Sequence, residues 1–223
     1  MYSILSWILF VPSFAAILIL LLPSDNKKLV RWTALLTSLI PLALSLVVWF
    51  GFDAAPADAD GLKYVVNTVW YKAIGSNYHI GLDGLSLTML LLTTLLTPLA
   101  ILASFTVDDR VNMYMALFLF LETGMLGVFL AQDLLIFFVF WEIGLVPMYF
   151  LINQWGSPKG ERELWNGMKV ANRTYASFKF IIFTMAGSLG LLLAVQMMGV
   201  MFGTFDLPEI IRLWNGYDRL NIL

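Results

Sequence analysis

Glu142 is the only charged residue in the nineteen positions from Leu134 to Ile152, LLIFFVFWEIGLVPMYFLI. A helix of that length, rising about 1.5 Å per residue, crosses a hydrocarbon core of about 30 Å. Glu142 is the ninth residue of the run, so it falls near the midplane. An acid there costs about 2.5–3.5 kcal/mol to insert, and therefore needs a compensating partner or a use. A chain carrying such a segment is a membrane protein first, whatever else it is.

The remainder of the sequence agrees. Hydrophobic residues make up 60% and charged residues 13% of 223 positions, which overrides the one or two soluble domains that length alone suggests. Six apolar runs read as spanning helices at about 3–22, 30–50, 85–105, 112–131, 133–153 and 176–202. They predict an all-α, polytopic transmembrane bundle forming a single domain over 1–223. The first run lacks a basic n-region and is too long for a typical signal peptide, so it reads as a span kept in the mature chain. Asp83 sits where it would cap the third span at the positive end of the helix dipole. Asp206-Leu207-Pro208-Glu209 has capping-box spacing and predicts a short interfacial helix at about 207–215.

Of thirteen Lys and Arg, eight fall in the turns after the first, third and fifth spans: Lys27, Lys28, Arg31, Arg110, Lys159, Arg162, Lys169 and Arg173. Four fall on the other side: Lys63, Lys72, Arg212 and Arg219. The positive-inside rule then points the N-terminus and the acidic 51–83 loop outward. Net charge is −2, so nothing suggests nucleic acid. With no cysteine and one histidine, thiolate metal, iron–sulfur and multi-histidine haem sites are excluded within this chain. His79, in the outward loop, reads as an ordinary surface histidine.

Three charged residues fall within spans: Glu122, Glu142 and Lys179. Glu122 lies ten positions before Gln132 and Glu142 nine after Asp133, so a helical hairpin turning there sets both acids at similar depth on adjacent helices. If they face each other they cannot both ionise cheaply, and such a carboxyl is suited to binding and releasing a proton. The bland alternative is a pair of protonated structural acids. Pro147 frees the carbonyl of Ile143 next to Glu142, or simply kinks the helix. Tyr149, seven residues on, shares the Glu142 face. Lys179 either snorkels to the interface or, given Gly187 and Gly190 along its face, packs inward as a relay group. The hydroxyls at Ser86, Thr88, Thr93, Thr94 and Thr97 are weak evidence for a wet path, since they usually bond their own backbone. Trp32, Trp49, Trp70 and Trp155 read as interface anchors.

Together these segments resemble a known family. FWEIGLVPMYFLINQWG, Phe140 to Gly156, is similar to the fifth-helix signature of the antiporter-like membrane subunits of respiratory complex I, NADH:quinone oxidoreductase, in their M, or chain 4, branch. Gly81-Leu82-Asp83-Gly84-Leu85-Ser86, Gly127 to Asp133, Lys179-Phe180 before Thr184, and Thr204 to Glu209 match in order. The resemblance implies a subunit of a redox-driven proton pump in which Glu142 belongs to a buried proton pathway, with Lys179 and Glu122 as further candidates. It implies no cofactor on this chain, and places NADH, FMN, iron–sulfur clusters and quinone on partner subunits. The implied partners are the other membrane-arm subunits and the lipid bilayer. The implied location is the bacterial inner (plasma) membrane, or alternatively an organellar or thylakoid membrane.

Two departures stand out. The 155–175 segment is longer than in the family, whose partner lysine lies on a broken seventh helix beyond Leu223. A fragment, an incomplete sequence, or a subunit split so that its remaining half is a separate partner all fit. The rival readings are a subunit of a multisubunit sodium/proton antiporter and a truncated, purely structural membrane subunit.

Overall fold

The computed structural model describes residues 4–157, 159–164 and 167–217. Pro158 of the 155–175 segment, and Arg219 of the charge count, lie outside them. Six long helices run as α1 (Ile4–Leu20), α2 (Lys27–Gly51), α3 (Gly84–Ala103), α4 (Val111–Leu130), α5 (Leu134–Trp155) and α6 (Asn172–Phe202). All six lie within a few residues of the apolar runs. Five are long and apolar enough to cross a membrane, and α1 is a shorter apolar helix. At 17 residues it reaches about 26 Å, nearly the hydrocarbon thickness. Helices form because hydrocarbon offers backbone amides no partner other than their own segment.

The caps follow the sequence. Asp83 accepts from the amide of Ser86 at 2.6 Å, and Asp206 accepts from that of Glu209 at 3.1 Å, opening α7 (Leu207–Tyr217). The α5 helix passes unbroken through the buried Pro147.

Two hairpins were not anticipated. Most of the 51–83 loop is a ribbon of β1 (Lys63–Tyr71) and β2 (Ser76–Leu82), with Asn67 opposite His79 and Val66 opposite Ile80. Gly75 turns the chain back at φ +71°, a conformation that L side chains rarely adopt. KYVVNTVWY is rich in β-branched and aromatic residues, a strand signal that the polarity of the surrounding loop hides. The 155–175 segment holds a smaller hairpin of β3 (Glu161–Glu163) and β4 (Lys169–Ala171).

The helices alternate up and down, and their turns knit into two faces. On the basic face Arg31 bonds the Val107 carbonyl at 2.6 Å and Asp108 at 2.8 Å, Arg110 reaches Gln154, and Trp155 reaches the Asp109 carbonyl. On the opposite, hairpin face, isolated bridges join Ile80 to Ala131 and Asp133 to Asp206.

Helix α4 is the hub, packed against α1, α2, α3 and α5. Lipid tails are as apolar as leucine, so helices associate where small residues allow close contact. Ala15, Ala16, Ala34 and Ala116 lie in the cluster where α1, α2 and α4 meet. At the α4–α5 crossing, a Cβ on Gly124 would stand 3.0 Å from both the Cα and the N of Gly144, and one on Gly127 would strike the Phe140 ring. Gly187 and Gly190 of α6 have nothing within 4 Å of such a Cβ, so the close packing expected along that face is not made among the described residues.

Gly124→Leu should therefore force α4 and α5 apart, at a cost of roughly 1–3 kcal/mol. Gly187→Leu, in open space, should leave thermal unfolding in detergent unchanged. Equal melting temperatures for the two variants would refute the crossing.

Candidate functional site

Two polar centres lie in this fold. The first is the pair of acids on the α4–α5 hairpin. Because Gly124 abuts Gly144 and Gly127 abuts Phe140, the antiparallel register puts Glu122 and Glu142 about one helical turn, or 6 Å, apart in depth. The similar depth expected from the sequence is present. Mutual facing is not. Glu142 is two residues from both Phe140 and Gly144, roughly 200° round α5 from the contact with α4. Glu122 is two residues from Gly124 and points as far away from α5.

Glu122 is fully buried beside Thr97 of α3. The Thr97 hydroxyl donates instead to the Thr93 carbonyl at 3.0 Å, so neither Glu122 oxygen has a protein hydrogen-bond partner. Next to it Thr123 accepts from Ser13 of α1 at 2.8 Å. Three successive residues of α4 thus serve α3, α1 and α5 in turn. Thr88, Thr93 and Thr94 also bond carbonyls of their own helix, so the bland reading of the threonines is the observed one.

Glu142 is half-buried, with Oε1 enclosed and unpartnered. Its side of α5 runs toward α6, where Trp141 donates to Ser188 at 3.2 Å and Tyr149 stacks edge-on against Phe178. Lys179 is exposed on α6, with Nζ 5.7 Å from the Phe183 ring centroid. One residue past Phe178, it lies level with Tyr149, about 10 Å along the helix axis from Glu142. The fold does not bring it to either acid, and the inward-packed alternative for Lys179 is not seen among the described residues.

The second centre is on the hairpin face, and here the reading of His79 as a surface residue is overturned. His79 is 4% exposed. Its Nδ1 lies 2.5 Å from Asp206 Oδ2, and its carbonyl accepts from the amide of Gln132 at 2.8 Å. Strand β2 buries His79 because it is laid across the α4–α5 turn, a tertiary contact with no local sequence signal. Beside it Asp133, 1% exposed, caps α5 by accepting from the amides of Leu135 and Ile136 at 2.9 and 3.1 Å. It also accepts from the Ser76 hydroxyl at 3.1 Å and the Asn77 amide at 2.9 Å. An Asp directly before an apolar run is an N-cap signal, so this role was available from sequence; its bonds to β2 were not. Arg212 of α7 holds both oxygens of Asp60 at 2.5 Å, fastening the other flank. Burial raises the Asp206 carboxyl, but the His79 bond, the Glu209 amide and the charges of His79 and Arg212 outweigh it and hold Asp206 below the ordinary range. Among the described residues no cluster of ligating side chains could hold a metal ion.

Comparison with known proteins places this arrangement. Residues 62–132 match the family model for the amino terminus of NADH-ubiquinone oxidoreductase chain 4, and residues 131–223 match that for the NADH:quinone oxidoreductase/Mrp antiporter transmembrane region. The chain is 36% identical over 215 residues to NADH-quinone oxidoreductase subunit M of Rhodobacter capsulatus, covering 94% of this chain and 38% of the relative. Subunit M of Pseudomonas aeruginosa is 38% identical over 213 residues, with coverages of 93% and 40%. The chain thus spans about two fifths of the length of these relatives. Among solved structures, a chain of respiratory complex I from Thermus thermophilus superposes with a TM-score of 0.74 at 28% identity, covering 93% of this chain and 39% of that one. A chain of the Mrp complex from Dietzia superposes at 0.71 with 26% identity, covering 92% and 20%.

Two outcomes test the hairpin-face junction. Asp133→Ala strands one hydroxyl and three amides and should cost roughly 2–4 kcal/mol, with amide exchange accelerated at Asn77 and Leu135. The lowered Asp206 carboxyl contributes stability in full above its ordinary value of 3.8; that contribution is lost as pH falls through the lower folded-state value. The chain has no cysteine, so spin labels placed at Thr68→Cys and Leu213→Cys report the contact alone. Their distance distribution should be narrow above pH 3.8 and broaden as pH falls progressively below it.

Proposed function

We propose, for a chain that belongs over residues 62–223 to the antiporter-like subunit M (chain 4) family of NADH:quinone oxidoreductase, that it serves in a membrane arm and carries protons through Glu142 while partner subunits oxidise NADH and reduce quinone. One observation carries this reading: an acid at mid-span, within the family's fifth-helix signature, has an enclosed oxygen and no hydrogen-bond partner there. Glu122 is likewise unpartnered, and it is the fifth-helix signature that sets Glu142 apart.

Glu142 binds a proton at its carboxyl and releases it when a cation approaches, because a neighbouring positive charge favours the carboxylate. Its outlook away from α4 sets the direction of traffic along the α5–α6 side. Glu122, on the far flank of α4, does not exchange protons with Glu142 directly, since the Gly124–Gly144 backbone contact fills the space between them. It is a separate group facing α3. Lys179 is placed to act from the basic end of the same α5–α6 side, at a distance that needs an intervening carrier. No residue here is suited to electron transfer, so NADH, FMN, iron–sulfur clusters and quinone belong to partners. The family fits a bacterial plasma membrane, and the cyanobacterial relatives fit a thylakoid one. The likeness to the Mrp complex supports a second reading, a cation/proton exchanger subunit, which sodium-dependent transport by the assembled complex would separate from the first.

Glu142→Gln keeps shape and removes titration. In the assembled complex it should cut proton translocation on the order of 100-fold while assembly persists. Unaltered pumping would leave a purely structural role. Glu122→Gln should have a smaller effect on pumping than Glu142→Gln.

A further inference from the structure

At its basic end α6 carries a stripe of Tyr175, Phe178, Lys179, Ile182 and Phe183, three and four residues apart and so on one side of the helix. Between this stripe and the β3–β4 hairpin lies a groove of about 530 Å³, whose hairpin wall is Leu164, Met168 and Val170. Strand alternation sorts the charges around it. Side chains two apart share a face of a strand, and directly opposed residues of an antiparallel pair share one too. Arg162 is opposite Val170, and the Leu164 amide bonds the Met168 carbonyl at 2.8 Å, so these four residues make up the groove face. Glu161, Glu163 and Lys169 fall on the other face, with Glu163 opposite Lys169. The hairpin therefore turns one cation and no acid toward the groove. Arg162 lies 4.7 Å from the Tyr175 ring centroid. Lys179 is one turn further along α6, about 6 Å, with its ammonium 5.7 Å from the Phe183 ring centroid. Among the described residues no ion pair joins an acid to either cation, and Arg173 is committed to the Gln154 carbonyl.

We propose that this groove binds an anionic phospholipid of the leaflet on the basic face, with its phosphate between Arg162 and Lys179 and an acyl chain along Phe178, Ile182 and Phe183. The depth is right for a headgroup. At 31 residues α6 is about 46 Å long, about 16 Å more than a hydrocarbon core. Its first turns therefore stand in the headgroup layer, and Lys179, seven residues in, is at the boundary. The chemistry narrows the occupant further. A phosphate offers acceptors both to the guanidinium fork and to the ammonium. An apolar helix would fill the walls but leave two cations without a counter-charge. A free phosphate would pair the cations but leave the apolar walls unfilled. A zwitterionic headgroup brings a third cation up to the two already present, so a net negative lipid is preferred. Charge asymmetry assigns the basic face to the cytoplasm, where basic pockets between helices meet the anionic leaflet. Lys179 acts here as a binding group, independently of the proton route through Glu142.

The chain has no cysteine, so a bimane fluorophore on Ile182→Cys reports the groove alone. The same fluorophore on Leu193→Cys, a 71% exposed position further along α6, reports ordinary lipid contact. The whole chain is reconstituted in phosphatidylcholine vesicles containing increasing amounts of phosphatidylglycerol brominated in its acyl chains, or of equally brominated phosphatidylcholine. Quenching at Ile182→Cys should favour phosphatidylglycerol by about fivefold or more, and quenching at Leu193→Cys should favour neither lipid. Adding Arg162→Gln and Lys179→Gln should bring the groove near parity, whereas Lys179→Arg should keep the preference. Equal quenching by the two lipids at Ile182→Cys, an equal preference at Leu193→Cys, or a preference that survives loss of both cations overturns the proposal. So does a groove that neither lipid quenches while Leu193→Cys is quenched, the outcome expected if protein covers it. The comparison of the two lipids is made with both cations in place, so it decides the matter even if the double substitution fails to fold.

Discussion

One carboxylate, that of Asp133, is where three distant stretches of chain meet. It ends the α4–α5 turn, caps α5, and receives the Ser76 hydroxyl and the Asn77 amide from β2. Its residue is also bridged to Asp206 at the entry to α7. A buried charge with four donors is stable where a buried charge with none is not. The turn between α4 and α5 has no length to spare, so the position of both helices, and of the acids they carry, is inherited from this junction. On the basic face the contacts are spread over several residues, with Arg31 on Val107 and Asp108, Asn112 on the Ile19 and Leu22 carbonyls, and Arg110 on Gln154.

The relation between the two acids depends on helix geometry more than on their own chemistry. Depth is set by residue count from the turn, and direction by 100° per residue. Both acids precede a contact glycine by two positions, which sends them to opposite flanks of one crossing. The hairpin therefore holds two independent polar sites rather than a coupled pair. Glycine at 124, where a Cβ would stand 3.0 Å from the Gly144 backbone, is what makes so thin a partition possible.

Much of this was legible in the sequence. Apolar run length located all six long helices, because hydrocarbon thickness imposes it and no tertiary contact overrides it. The Asp83 and Asp206 caps were legible because capping is local. The β1–β2 ribbon was missed: its strand residues sit in a polar loop, and their register is set by docking on Ala131 and Gln132, far along the chain. His79 was misplaced for the same reason. A lone histidine carries no mark of burial, and its partner is 127 residues away. The facing of Glu122 and Glu142 was open because it turns on which residues of α4 and α5 touch, and that was fixed only by the glycine contacts.

A helix held by buried bonds at one end and by mostly exposed ones at the other behaves as a lever. Buried bonds hold α5 at Asp133, while at its far end Trp155 bonds Asp109 and Gln154 bonds Arg110 and Arg173 nearer the surface. Each degree of rocking about Asp133 displaces Glu142 by about 0.2 Å and Trp155 by about 0.6 Å. The acid therefore sits on the short arm, where large swings at the basic face reach it as fine adjustments. Mechanical force applied at the basic face would thus be geared down before it reached Glu142.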